Sequence, residues 1–305
     1  MTRFLLRRLV ISVLVAVTVS IVGFSLLRLS GDLATSLAGE NAKPEDVARI
    51  AHAYGLDRPL VVQYFDWAGH ALTGDLGQSL FTREPVSGLI LDRIGVTATL
   101  AICSLILALL ISVPLGVLAA VKSNTWVDRA ALVFAVSGQA TPSFWLALVF
   151  IIVFAVDLRW LPVSGSATWQ HFVMPVLTLG ISIMPSFMRL TRAGMIEVLS
   201  SDYVRTARAK GLSAGSILFK HGLRNAILPI VSLSAVQLGF LLGGSVIVES
   251  IFALNGVGYL AFQSILRIDF PVVQSILVFL SICYIVLTLV SDLVNARLDP
   301  RIRLS

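Results

Sequence analysis

Few residues in this chain have the types and spacing that catalysis or metal binding requires. The sequence contains neither a P-loop of the form GxxxxGK[ST] nor an HExxH zinc motif. The SGSA string at residues 164–167 superficially resembles a serine nucleophile site, yet no base is evident beside it. The four histidines lie in separate segments of the chain: His52, His70, His171 and His221. We therefore predict no catalytic residue, no cofactor of the chain's own and no metal site.

The composition is that of an integral membrane protein. Of the 305 residues, 57% are hydrophobic and only 13% are charged, which lies far outside the usual range of a soluble domain. The net charge of +6 is carried by short basic islands beside apolar runs, as the positive-inside rule describes. That distribution excludes a nucleic-acid partner. Cys103 and Cys283 both fall inside apolar runs, where a packing role is expected.

Six apolar segments predict an all-α polytopic membrane protein with six transmembrane helices. They cover residues 9–27, 94–121, 130–156, 172–188, 225–248 and 271–290. The 19-residue first segment nearly crosses a hydrocarbon core of ~30 Å at ~1.5 Å per helical residue. Arginines flank both ends of the chain, so both termini are predicted to be cytoplasmic: Arg3, Arg7, Arg8, Arg297, Arg301 and Arg303.

Residues 30–93 form the one long polar region, and we predict that it is external. It contains nine acidic residues against five basic ones, which is the reverse of the balance expected on the cytoplasmic side. A second external segment is predicted at ESIFALNGVGYL, with Glu249 at the membrane edge. We divide the chain into an N-terminal tail and first helix (1–29), an external region (30–93) and a core of five helices (94–305).

A basic island at Ser201–Val231 interrupts the apolar segments. Between Arg189 and Arg224 there are seven lysines or arginines and two acidic residues, which predicts a cytoplasmic position. Helical spacing places Ile196, Leu199, Tyr203, Thr206 and Ala207 on one face and Asp202, Arg205 and Arg208 on another. Gly211 is expected to end this helix in a left-handed conformation, and Ser213 to cap a second short helix.

The island resembles the EAA loop of permeases of binding-protein-dependent ABC importers, in the dipeptide, oligopeptide, glutathione and nickel group. The resemblance rests on ARAKG followed by RNAILP, with Gly211 at the motif's glycine and Pro229 at its terminal proline. Arg205 replaces the glutamate of the general motif, a departure that is usual in the peptide group. The alternative for this stretch is a basic amphipathic helix that lies on anionic lipid.

The resemblance implies a type I ABC importer permease fold, in which loop 193–224 docks on an ATP-hydrolysing subunit. It assigns ATPase coupling to one run of residues: Asp202, Tyr203, Arg205, Thr206, Ala207, Arg208, Ala209, Lys210 and Gly211. The implied partners are a second homologous permease, two cytoplasmic ATPase subunits that bind ATP and Mg, an external solute-binding protein and membrane lipid. The implied location is the bacterial inner membrane.

The centres of the predicted spans carry polar but uncharged residues. The candidates for a translocation path are Gln139, Thr141, Ser143, Ser182, Ser186, Ser234 and Gln237. Those beside Pro142 either satisfy backbone groups that the proline frees or line a wet path. Without charges at mid-membrane, an ion-coupled secondary transporter has no evident coupling site. We predict that this path carries short peptides or a peptide-like solute such as glutathione. The alternative is that the protein is a permease for nickel, a metal chelate or an opine.

Overall fold

The structure, a computed structural model, describes residues 2–29, 33–39 and 42–298. Within these ranges it is helical and contains no β-strand, so the predicted all-α class is confirmed. The helices are α1 (Thr2–Leu29), α2 (Leu33–Ala38), α3 (Pro44–Ala53), α4 (Leu60–Leu72), α5 (Val86–Val121), α6 (Trp126–Ala140), α7 (Ser143–Phe150), α8 (Gln170–Ser200), α9 (Asp202–Ala209), α10 (Arg224–Ala226), α11 (Leu228–Gly244), α12 (Val246–Ile251), α13 (Val257–Leu266) and α14 (Phe270–Leu298). Two π-helical stretches occur, at Ile151–Asp157 and Ser216–Leu223.

All six predicted spans coincide with apolar helical segments. Helix α5, helix α8 and residues Phe270–Val294 of α14 are each long and apolar enough to cross a membrane, by length and composition. The first and fifth predicted spans lie on the shorter apolar stretches Val10–Leu26 and Pro229–Gly244. Arg301 and Arg303, the predicted inner anchors, lie outside the described residues.

The third predicted span, residues 130–156, is two helices and not one. Trp126–Ala140 and Ser143–Asp157 meet at an angle of 96°. Pro142 has no N–H to donate, and its ring disfavours the helical conformation of the residue before it. Thr141 accordingly has extended backbone angles, φ −84° and ψ 122°. The bend therefore lies between Gln139, near the end of α6, and Ser143, at the start of α7.

The chain divides into two compact units. The first unit comprises Met1–Val96 and Asn255–Ile285, and the second comprises Thr97–Leu254 and Val286–Ser305. In the first unit, the start of α5 packs with α13 and the start of α14 in an apolar cluster: Val86, Leu89, Ile90, Val257, Ala261, Val272 and Ile276. The division of the sequence at residues 29 and 93 stays a prediction.

Helix α8 forms the packing centre of the second unit. A Cβ added at Gly116 of α5 would lie 2.6 Å from the Cβ of Thr191 and 2.8 Å from the carbonyl oxygen of Met188. A Cβ added at Gly180 of α8 would lie 3.1 Å from the Leu107 side chain of α5. Glycine at these contacts lets α5 and α8 pack at short range, as small residues do between membrane helices.

Candidate coupling helix and path residues

Helix α9 is separated from α8 by one extended residue, Ser201. Its φ of −71° and ψ of 154° are typical of an N-cap position. The carbonyl oxygen of Ser201 accepts hydrogen bonds from the backbone N–H groups of Val204 and Arg205, each at 3.2 Å. Asp202 lies in the first turn of α9, where its negative charge interacts favourably with the positive end of the helix dipole. The basic island therefore begins as an independent short helix.

The buried face of α9 differs from the predicted one. Val204 is 0% exposed and Ala207 7% exposed, and both pack with Ile217 in one apolar cluster. Tyr203 and Thr206, which helical spacing placed on the same face as Ala207, are exposed. The prediction was wrong for these two because it counted a helical period across Ser201, where the extended backbone resets the register. Val204 was missed, although it lies three residues before Ala207.

The end of α9 has the predicted left-handed conformation. Gly211 has φ +75°, a conformation that residues with a Cβ rarely adopt. The N–H of Leu212 donates to the carbonyl oxygen of Ala207 at 3.2 Å, and that of Gly211 donates to Arg208 at 3.0 Å. This pair of bonds is a Schellman motif. No atom lies within 4 Å of a Cβ added at Gly211, so only the backbone conformation restricts this position.

The remaining surface of α9 is exposed and predominantly basic. Of the nine residues assigned to coupling, only Ala207 is buried, and the other eight are exposed. A guanidinium nitrogen of Arg205 lies 3.4 Å from a carboxylate oxygen of Asp202, a residue that the sequence places on the same face of the helix. Both side chains are mostly solvent-exposed, so this ion pair adds little stability. The helix therefore presents a polar face that can be contacted from outside this chain.

The second short helix predicted for the island is present as the π-helical stretch Ser216–Leu223, which packs against α8. The Ser213 hydroxyl accepts a long hydrogen bond of 3.4 Å from the N–H of Ser216, as an N-cap does. Gly222 packs under Met195 of α8, where an added Cβ would lie 3.1 Å from the methionine methyl carbon. The base of the basic island is therefore packed on the same helix from which α9 departs.

The predicted path residues fall into separate groups in the second unit. Gln139, Thr141 and Ser143 lie together at the α6–α7 bend, while Ser182 and Ser186 lie on α8. The Gln139 side-chain oxygen accepts a 2.9 Å hydrogen bond from Arg189 of α8. Only Thr141 of the predicted set lines the cleft at this bend.

Several of the predicted path hydroxyls bond within their own helices. The Thr141 hydroxyl donates to the carbonyl oxygen of Ser137 at 2.8 Å. Ser182 donates to Thr178 at 2.9 Å, and Ser234 of α11 donates to the carbonyl oxygen four residues earlier. At Thr141 the hydroxyl bonds the Ser137 carbonyl, which also accepts the Thr141 N–H, and not the Gly138 carbonyl that Pro142 leaves without its helical donor. Both roles considered for this cluster therefore stay predictions. Gln237 also lies on α11, and no described contact joins it to the bend.

Glu249, which we predicted at the membrane edge, has its side chain enclosed by the protein, and its depth in the membrane stays a prediction. It is fully buried in α12. One of its carboxylate oxygens accepts hydrogen bonds from the hydroxyls of Thr97, at 2.9 Å, and Ser245, at 2.8 Å. Hydrogen bonds from two hydroxyls to one oxygen reduce the free-energy cost of burying the carboxylate. The Ser245 contact follows helical i, i+4 spacing, whereas the Thr97 contact has no sequence signature.

A buried ion pair between α6 and α8 was also missed. The Arg192 guanidinium donates two hydrogen bonds to the two oxygens of Asp128, at 2.6 and 2.7 Å. Asp128 also accepts the N–H of Asn124 at 2.9 Å, which holds the turn before α6. The pair fastens the first turn of α6 to the part of α8 that leads into α9. Among the described residues there is no group of three or more possible metal ligands.

The chain matches two models of the same family along nearly its whole length. The model for the binding-protein-dependent transport system inner membrane component covers residues 112–304. The model for the N-terminal part of the same membrane component covers residues 1–101. Family membership therefore rests on both the polar first third and the helical core.

Curated relatives extend the match to full length. The chain is 40% identical over 304 residues to the glutathione transport system permease protein GsiC of Salmonella choleraesuis (strain SC-B67), covering 99% of each chain. The same figures hold for GsiC of Escherichia coli (strain K12). Such identity without large gaps indicates that both proteins have the same organisation from end to end.

Solved structures show the same fold at low sequence identity. An inward-facing structure of the MetNI methionine ABC transporter aligns with a TM-score of 0.60 at 19% identity, covering 71% of this chain and 99% of that one. A second crystal form gives a TM-score of 0.60 at 18% identity. This chain belongs to the family of binding-protein-dependent transport system inner membrane components, as the permease subunit of an ABC importer, which works with a partner ATPase and has no ATPase site of its own.

Proposed function

We propose that this permease forms half of the translocation path for short peptides or a peptide-like solute such as glutathione. The single observation that carries this proposal is the full-length 40% identity to permeases named for glutathione transport. Hydroxyl and amide side chains, such as those of Thr141 and Gln139 at the α6–α7 bend, can exchange hydrogen bonds with a passing peptide without trapping it. A bare divalent cation would instead favour carboxylate or imidazole ligands.

Competition for uptake tests this substrate class. In cells that carry the complete transporter, excess glutathione and excess di- and tripeptides should suppress uptake of a labelled short peptide. The control is a strain that lacks only this subunit, in which no competable uptake should remain. If only nickel, a metal chelate or an opine is taken up through this subunit, the peptide assignment is wrong. Uptake that follows an ion gradient without ATP would support the secondary-transporter alternative instead.

We further propose that α9 couples ATP hydrolysis to transport. The support is its geometry, a short helix with an exposed polar face, freed from α8 at Ser201 and ended sharply at Gly211. Contact with a moving ATPase on that face would displace α9 as a rigid body. Because Val204 and Ala207 pack on the neighbouring helix of the island, the displacement would pass to α8 and so to the path. The coupling residues are the nine named from the sequence.

The proposed assembly contains this chain, a second homologous permease, two ATPase subunits that bind ATP and Mg, and an external solute-binding protein. The assembly lies in membrane lipid, with both termini of this chain cytoplasmic. In one cycle, ATP binding closes the ATPases and rocks the helices from inward-open to outward-open, and hydrolysis resets them. The basic island faces the ATPases in this arrangement, and residues 30–93 face the binding protein.

A further inference from the structure

A cavity of about 250 Å³ lies within the first unit, apart from the bend and the coupling helix. It is bounded by the turn before α5, by the first turns of α5, by α13 and by the segment that leads into α14. Its apolar floor includes Leu89, Leu260 and Val272, while two arginines, Arg93 and Arg267, stand at its polar side. We call this cavity the arginine pocket.

Both arginines are held in place by neighbouring groups. Arg93 donates from Nε to the side-chain oxygen of Asn255 at 3.1 Å, and from Nη1 to the carbonyl oxygen of Leu89 at 2.9 Å. The Arg267 guanidinium lies 4.1 Å from the centre of the Phe81 ring, in cation–π geometry. These contacts reduce the conformational entropy that each side chain would lose on binding a ligand.

Neither arginine is neutralised within the described residues. No acidic side chain forms an ion pair with Arg93 or Arg267 there, and Asp269 is the one acidic residue described in the lining. Asp269 is 3% exposed. Its two oxygens already accept hydrogen bonds, one from the Ser79 hydroxyl and one from the N–H of Leu80. The pocket therefore has two fixed positive charges against the one carboxylate of Asp269, and its concave walls concentrate the remaining positive field on an entering anion.

We propose that the arginine pocket receives an aspartate or glutamate side chain of the solute-binding protein on which this family depends. Guanidinium groups bind carboxylates through paired, charge-assisted hydrogen bonds. The cavity is smaller than the roughly 300–1,000 Å³ typical of pockets that enclose whole small molecules, and it suits one acidic side chain.

The charges around the pocket give this contact its selectivity. Residues 30–93 of the same unit have an acidic excess, nine residues against five, which repels an acidic partner surface elsewhere. A positive pocket in a unit whose residues 30–93 have an acidic excess would favour one register for the docked binding protein. The inference rests on the proposed external position of residues 30–93, and not on the identity of the solute.

The test uses the complete transporter in vesicles with its purified binding protein, and measures ATP hydrolysis against binding-protein concentration. Arg267→Gln and Arg93→Gln should each raise the half-maximal concentration about tenfold, the size expected for a central interface contact. The maximal rate should be unchanged, and the difference from wild type should shrink as salt is raised. Arg267→Lys should give a half-maximal concentration between those of wild type and Arg267→Gln, because lysine keeps the charge but lacks the planar guanidinium group.

A matched control and a solute titration make each outcome decisive. Arg58→Gln, in the same acidic region but paired with Asp66 at 3.1 Å, should leave the half-maximal concentration unchanged. If the pocket instead bound a carboxylate of the solute, the variants would change the solute concentration for half-maximal uptake at saturating binding protein, and the binding-protein curve would not move. That result, or unchanged curves in both titrations, overturns the proposal. Because Arg267 is exposed, its variants should assemble normally. Thiol labelling of Thr73→Cys separately tests whether residues 30–93 are external.

Discussion

Breaking the Asp128–Arg192 pair by the substitution Arg192→Gln should strongly destabilise the permease. The Asp128 side chain is 4% exposed and that of Arg192 24% exposed. The substitution leaves a buried carboxylate with the N–H of Asn124 as its other described hydrogen-bond donor. Leaving a buried charge without its partner lowers the free energy of unfolding by about 3–5 kcal/mol. Because water has partial access to the Arg192 site, we expect a loss of about 2–4 kcal/mol here.

The assay is thermal unfolding of the permease in detergent. A loss of about 2–4 kcal/mol corresponds to a fall in Tm of roughly 4–8 °C for a chain of this size. The double variant Asp128→Asn with Arg192→Gln should recover part of the loss, because it removes the unpaired charge as well. This partial recovery separates the charge effect from a general disturbance of packing at α8.

The exposed pair on α9 provides the matched control. Arg205→Gln removes a guanidinium from a 3.4 Å ion pair whose side chains are 79% and 92% exposed. This substitution should lower the free energy of unfolding by less than about 0.5 kcal/mol, since solvent screens both charges. Equal Tm shifts for Arg192→Gln and Arg205→Gln would refute the reasoning from burial. A double variant less stable than Arg192→Gln alone would refute the unpaired-charge explanation.

The remaining predictions concern orientation and coupling. In a background without the two native cysteines, an impermeant thiol reagent applied to intact cells should label Thr73→Cys and leave Ser213→Cys unlabelled, and the reverse pattern would overturn the proposed topology. Gly211→Val should abolish uptake while the subunit still reaches the membrane, because its φ of +75° strains a β-branched residue by ~1 kcal/mol or more. Gly215→Val is the control: its φ is −61° and no atom lies within 4 Å of an added Cβ, so uptake should persist. Normal uptake with Gly211→Val would remove the coupling assignment.

Local features of the basic island could be predicted from the sequence. The left-handed Gly211, the cap at Ser213 and the pairing of Asp202 with Arg205 each depend on residues within about one helical turn. Composition and charge distribution likewise identified the apolar segments and the all-helical class. These properties follow from backbone sterics, hydrogen-bond chemistry and hydropathy, which a single sequence carries directly.

Other features depend on how distant segments pack. Asp128 and Arg192 are 64 residues apart, and Thr97 and Glu249 are 152 residues apart, so no local spacing could identify these contacts. Pro142 indicated that backbone groups are freed there, but the 96° bend depends on how α6 and α7 each pack against α8. Val204 is buried in α9 together with Ala207 because Ser201 is extended and another helix supplies Ile217. Sequence by itself determined which segments are apolar and helical and that α9 ends at Gly211. Tertiary structure decided where the third span breaks, which face of each helix is buried and which charges meet, because burial and long-range pairing are properties of the packed chain.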